Sequence, residues 1–195
     1  MESWIEAVSA RQGLGVDEVL RLIDGMPRRS FARGEIVVRQ GETDSSVYLL
    51  VRGIWRGYRF KDGEEATAWF GVPGEVLFSV WGYVSDRPSR LAIESVTDSE
   101  AVCLPKGELN RRFSSSIAMA NLGRKVLENF VLLYENWHID LWKQTALDRY
   151  MALLDDYPEV VKQVPMKCIA SYIGVTVQSL SRIRALLAGA KDGGR

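Results

Sequence analysis

Residues 169–184 constrain this 195-residue chain more than any other stretch. Ala170 is small, and four residues later stands Gly174. A small side chain lets a second helix cross closely, and a glycine accepts the positive φ of a tight turn. Ile169, Ile173 and Val175 give the first helix and the turn an apolar side. Leu180, Ile183 and Leu187 recur at steps of three and four, one face of a second helix. Thr176 suits the N-cap, its hydroxyl accepting from a free amide one turn on. The opposite face reads Val177, Gln178, Ser181, Arg182 and Ala185, with a cation and no acid. The pattern predicts a helix-turn-helix whose second helix enters a DNA major groove. A hairpin of two helices with one apolar face also serves protein contact. The alternative reading is therefore a ligand-binding module whose helix pair grips another protein.

In the DNA reading, Gln178 is the first candidate for base contact, because its amide matches adenine N6 and N7. Arg182 is the second, suited to guanine O6 and N7, and Val177 can touch a thymine methyl. Thr176, Ser179, Ser181 and Arg184 fall to phosphates, which fix register without reading sequence. Charge is distributed in keeping with this. The chain has 25 basic and 25 acidic residues, a formal net charge of zero. Residues 161–195 hold six basic residues and one acid, net +5, which leaves −5 for the rest. One locally basic end on a neutral chain suits phosphate contact through that end alone, or a solvated basic terminus.

Other chemistries find little support. Cys103 and Cys168 are isolated, with no C-x-x-C, so no iron–sulfur or zinc site is expected and both read as buried thiols. The single histidine, His138, has no second histidine to share a metal. No cofactor is expected. There is no nucleophile–base pair and no phosphate-cradling glycine loop, so the chain does not read as an enzyme. No signal peptide is seen, and no apolar run reaches the ~20 residues that span a bilayer. The expectation is a cytoplasmic protein with no membrane partner.

Upstream, residues 1–25 read as helix. Trp4, Ile5 and Val8 share one face; Asp17 can cap a second segment with Val19, Leu20 and Ile23 on another. From Arg28 the period changes. Short β-branched and aromatic runs, cut by glycines, recur through residue 104 and signal an all-β sandwich or barrel. Asp62-Gly63 between two such runs is a two-residue hairpin signal. An aromatic stretch, Phe78, Trp81 and Tyr83, interrupts them.

Residues 115–143 form one long helical pattern without proline. Ala120, Gly123, Leu127, Phe130, Tyr134, Trp137 and Leu141 make a seam at alternating steps of three and four. Leu122, Val126 and Leu133 make a neighbouring stripe. Two stripes predict two partners: a second copy of the helix, and the β part of the chain. The alternative is one helix buried in a monomer. A further helix over residues 144–157 and the segment before Pro165 would support the helix pair.

These motifs carry a resemblance. Arg33-Gly34-Glu35, Gln40-Gly41-Glu42 and Tyr48-Leu-Leu-Val-Arg-Gly53 resemble the glycine-punctuated strands of the cyclic-nucleotide-binding β-roll. With the terminal helix pair, the chain is similar to the Crp/Fnr superfamily of bacterial transcription regulators; the spacing around Asp148-Arg149-Tyr150 and Pro158 resembles its short sub-branch. The resemblance implies an α+β fold with a double-stranded β-helix (jelly-roll) sensor domain over residues 1–113. A dimerisation helix over 114–143 and an all-α DNA-binding domain over 144–195 follow it. The implied partners are a second copy, whose twofold axis places reading helices about 34 Å apart on a near-palindromic operator, and RNA polymerase. Many members carry a β-hairpin wing after the second helix; here the residues after Leu187 leave no room for one, and a frayed end is expected.

In cyclic-AMP-responsive members a Gly-Glu-Leu turn holds the ribose and an Arg-Ser pair the cyclic phosphate. Counting back without gaps from Thr97-Asp-Ser-Glu100, these positions fall on Phe78-Ser79-Val80 and Ser89-Arg90. The ribose carboxylate is missing and the phosphate arginine is displaced by one residue, which on a strand turns it to the other face. Glu75 lies too early. The resemblance thus implies a roll that does not bind cyclic AMP in the usual way. Phe78, Ser79, Val80, Ser89 and Arg90 are its effector-pocket candidates. The aromatics Phe78, Trp81 and Tyr83 either line a pocket for another effector or fill the core. The effector, the operator and the sign of regulation are not written in the sequence.

Overall fold

The computed structural model describes residues 3–61, 63–141 and 145–192. It begins with α1 (Ser3–Gln12) and α2 (Val16–Ile23), which bury Trp4, Ile5, Val8, Val19 and Leu22. Leu22 rather than Leu20 faces inward; Leu20 is 42% exposed. The cap of α2 also differs from expectation. Gly15 occupies the N-cap, and the Glu18 carboxylate reaches back to accept from its amide at 2.8 Å. Asp17 sits inside the first turn, where a carboxylate meets the positive end of the helix dipole.

Eight strands follow: β1 (Arg28–Phe31), β2 (Ile36–Val38), β3 (Val47–Arg52), β4 (Trp55–Lys61), β5 (Glu64–Gly71), β6 (Val76–Phe78), β7 (Ala92–Ser95) and β8 (Ser99–Leu104). The short helix α3 (Val80–Ser85) lies between β6 and β7. The strands form two antiparallel sheets, ordered β1-β8-β3-β6 and β2-β7-β4-β5. The expected hairpin is present: Lys61 pairs with Glu64, and Gly63 takes φ +82°. Its Asp62 lies outside the described residues.

Alternation along the strands sorts side chains into two layers. Tyr48, Leu50, Trp55, Leu77, Ile93 and Ala101 pack between the sheets. There Trp55 meets Phe31 edge-on at 5.0 Å and donates its indole N–H to Ser99 Oγ at 2.7 Å, so the buried polar handle is satisfied. Val47, Leu49, Val102 and Leu104 point the other way, under α1, α2, α4 (Lys106–Phe113) and Leu122 of α5 (Ile117–Leu141).

Four helices complete the described residues: α6 (Ala146–Asp156), α7 (Pro158–Gln163), α8 (Met166–Ile173) and α9 (Val177–Asp192). Pro158 opens α7 at a position where its missing N–H costs nothing. These helices do not stand apart from the sheets. Ile54, Phe70, Val72 and Val96 of the β part join Tyr150, Leu153, Val160, Ile169, Ile173 and Leu180 in one apolar cluster. Past Leu187, where fraying is expected, α9 stays helical to Asp192. Among the described residues no helix is long and apolar enough to cross a membrane, and no cluster of three or more His, Cys, Asp or Glu could hold a metal.

Candidate nucleic-acid interface

The turn between α8 and α9 is built as its residues dictate. Gly174 closes α8 in the left-handed region at φ +74°. Its amide and that of Val175 both donate to the Ala170 carbonyl, Val175 at 2.9 Å, which satisfies the end of the helix. Thr176 starts α9, its Oγ1 accepting from the Ser179 amide at 3.2 Å. Arg149 Nε of α6 donates to the Ile173 carbonyl at 2.8 Å and ties the turn to the helix behind it.

With Leu180 fully buried, the opposite side of α9 is set outward. Val177, Gln178, Ser181, Arg182 and Arg184 are exposed; Ser179 is half-buried beside the cap, its hydroxyl 3.0 Å from that of Thr176. No acid occurs between Val175 and Lys191. Lys162 and Lys167, on neighbouring helices, are exposed as well. The arrangement offers two long side chains with paired donors, ringed by hydroxyls and cations, at a helix N-terminal half. Such a face complements a polyanion whose base edges carry acceptors.

The long helix divides its apolar residues between two sides. Leu122 is buried against α1, α2 and the sheet, with Met119 and Val126 half-buried beside it. Phe130, placed in the outer seam by its spacing, is half-buried on this inner side, its ring 4.8 Å from Phe78. Gly123, also assigned to the seam, lies under Phe113; a Cβ there would come to 3.0 Å of that ring. What stays open is Leu127, Val131 and Tyr134, 58%, 55% and 52% exposed. Leu132, Leu133 and Ile139 are exposed too. The side chains of Trp137 and Leu141 lie outside the described residues.

The effector candidates are not gathered on one wall. Phe78 belongs to the outer layer, between Tyr83 and Phe130, while its neighbour Leu77 faces the interior of the roll. Ser79 is spent as the cap of α3, accepting from the Gly82 amide at 3.1 Å. Val80 is exposed. Ser89 is buried and donates to the Leu91 carbonyl at 2.7 Å. Arg90 lies over the Trp81 ring at 4.0 Å.

Two polar groups at the junction of roll and helices escape sequence reasoning. Glu75 is buried; its carboxylate accepts from Val72 N at 3.1 Å, Arg11 Nη1 at 3.2 Å and Tyr157 Oη at 3.2 Å. Burial pushes this carboxyl above its ordinary range, against the pull of those donors. Burial and the nearby Glu75 charge hold the Tyr157 phenol above its ordinary range in turn. Beyond Thr67, Arg56 is 5% exposed and donates to Glu94 at 2.6 and 2.8 Å and to Glu65 at 2.8 Å. Glu75 and Tyr157 are 82 residues apart, a distance over which no periodicity signals contact.

Comparison with known proteins shows which fold this architecture shares. Residues 28–116 match the cyclic nucleotide-binding domain family. FixK2 from Bradyrhizobium japonicum is similar over 85% of this chain and 86% of its own, at 22% identity and a TM-score of 0.70. The c-di-GMP-responsive global regulator CLP of Xanthomonas campestris is similar over 91% and 93%, at 15% identity and a TM-score of 0.69. The chain has the Crp/Fnr fold. A CooA variant from Carboxydothermus hydrogenoformans shares it at 18% identity, a TM-score of 0.62 and coverage of 91% and 84%. No curated protein sequence matches the chain.

Proposed function

We propose that the chain is a homodimeric, sequence-specific DNA-binding transcription regulator whose β-roll does not hold cyclic AMP in the usual way. One observation carries the reading: α9 turns Gln178, Ser181, Arg182 and Ala185 to solvent while Leu180 anchors it from behind. Gln178 and Arg182 read bases; Thr176, Ser179, Ser181 and Arg184 hold phosphates. The open stripe of α5, Leu127, Val131 and Tyr134, supports pairing with a second copy. Pairing sets two α9 helices about one DNA turn apart and asks for a near-palindromic site.

The test is enrichment of duplexes from a random pool, followed by titration against salt. Two inverted half-sites and a steep fall of affinity with salt are expected, since each neutralised phosphate releases counterion. A flat salt response with no enriched sequence would favour the protein-contact reading of the helix pair.

A further inference from the structure

The helix pair is joined to the roll by more than its apolar seam. At one end, Ser171 of α8 meets Thr67 of β5. Ser171 Oγ donates to Thr67 Oγ1 at 2.8 Å and accepts from the Thr67 amide at 3.2 Å. Thr67 is buried, and Arg56 Nη1 reaches its hydroxyl from behind at 3.5 Å. The Arg56 guanidinium is fixed in turn by Glu94 and Glu65, so the residue receiving Ser171 stands on a rigid base. Next to it the Phe70 and Tyr172 rings lie 5.2 Å apart.

At the other end, Tyr157, between α6 and α7, donates to Glu75. Glu75 sits in a turn that cannot easily move. Gly74 donates to the Leu50 carbonyl at 2.8 Å, and Leu50 donates back to the Glu75 carbonyl at 3.0 Å. Gln12 Nε2 of α1 holds the Gly74 carbonyl at 3.1 Å. Arg11 bonds Glu75 and lies 3.9 Å from Glu159 of α7.

Two separated polar pins with an apolar seam between them fix an angle as well as a distance. The roll that carries these pins also carries α5, through Leu122 and the Phe78–Phe130 stack. The orientation of α9 relative to α5 is therefore set through the roll as well as through the direct contact of α5 with α6. We propose that Ser171–Thr67 and Tyr157–Glu75 position α9, and that this junction sets the half-site spacing which the dimer accepts on DNA. The proposal rests on the DNA-reading and pairing of the preceding section. The four residues touch no DNA in it; they act through the attitude of α9.

The experiment uses the full chain and a duplex library in which the enriched half-site is fixed and the spacer varies in length. The wild-type protein should accept one spacer strongly. Ser171→Ala and Tyr157→Phe, each removing one hydroxyl, should raise binding to neighbouring spacers relative to the preferred one by roughly three- to tenfold, the worth of one hydrogen bond. Base preference within each half-site should stay as it was. Val38→Ala, a truncation inside the roll away from both pins, should melt lower and keep the single spacing. If the two pin variants keep the wild-type spacing and only melt lower, the positioning role is overturned. Broadening by Val38→Ala to the same degree overturns it equally. A wild-type protein that enriches no repeated half-site overturns the DNA reading, and this proposal with it.

Discussion

The hydroxyl of Ser171 meets that of Thr67 at 2.8 Å across 104 residues of sequence. It is one of the points at which the first helix of the pair is held to the sheet. Removing it takes the side-chain acceptor from the buried Thr67 amide and leaves the Thr67 hydroxyl with the longer contact to Arg56 alone. Ser171→Ala should therefore lower unfolding stability by about 1–3 kcal/mol. Urea unfolding of Ser171→Ala, Thr67→Val and the double variant would show a coupling term; strict additivity would remove the pairing.

Glu75 makes stability depend on pH. Its carboxyl titrates above the ordinary 4.5 because burial disfavours the charge. The folded state thus binds the proton more tightly than the unfolded chain. That contribution is fully present below 4.5 and is lost as pH rises through the raised folded value. Glu75→Gln should flatten this part of the stability profile above pH 4.5, measured by denaturant unfolding at each pH. An unchanged slope would assign the dependence to other groups.

The proposed DNA contacts of α9 are of two kinds. Arg182→Ala should lose about 1–3 kcal/mol of DNA binding, concentrated at one base pair of each half-site. Arg184→Ala should weaken all sequences alike and reduce the salt slope by about 1. Uniform loss with Arg182→Ala would move that residue from bases to phosphates.

Pairing along α5 predicts a simple change in mass. Leu127 and Val131 are exposed in a single chain, so charge there costs the fold little. Leu127→Glu combined with Val131→Glu should convert a dimer to a monomer in analytical ultracentrifugation, with the melting of each chain's own core largely kept. A wild-type protein that sediments as a monomer at working concentration would end the twofold reading.

Gly174 tests the turn by itself. A Cβ at this position has space, its nearest neighbour being Arg149 Nη2 at 3.9 Å, so the cost of a side chain is conformational. Gly174→Ala should destabilise by about 1–2 kcal/mol and Gly174→Asn by less, because only glycine takes φ +74° without penalty. Equal losses for the two would point to packing instead.

Local chemistry made much of this legible in advance. Ala170, Gly174, Thr176 and Leu180 lie within eleven residues, and caps, turns and helix faces are properties of that range. The Gly63 hairpin is legible for the same reason. The long helix was legible as two-sided, but not which side its own chain would take. A period of 3.6 gives Phe130 and Leu127 adjacent faces; only the position of Phe78 decides that Phe130 turns inward. Leu20 and Leu22 illustrate the same limit in a short helix, where a small rotation exchanges them. In the sequence Glu75 stands out only as a carboxylate too early for a ribose-binding turn. Its partners, Arg11 and Tyr157, come from opposite ends of the chain and leave no periodic trace.

The cluster uniting Phe70 and Val72 with Ile169, Ile173 and Leu180 has a consequence for how the molecule comes apart. Cutting between sheet and helices would strip hydrocarbon on both sides of the cut. Neither fragment would be expected to survive as a well-behaved piece. Heating should melt helix pair and roll together in one cooperative step, so that a single calorimetric peak, rather than two, marks this protein.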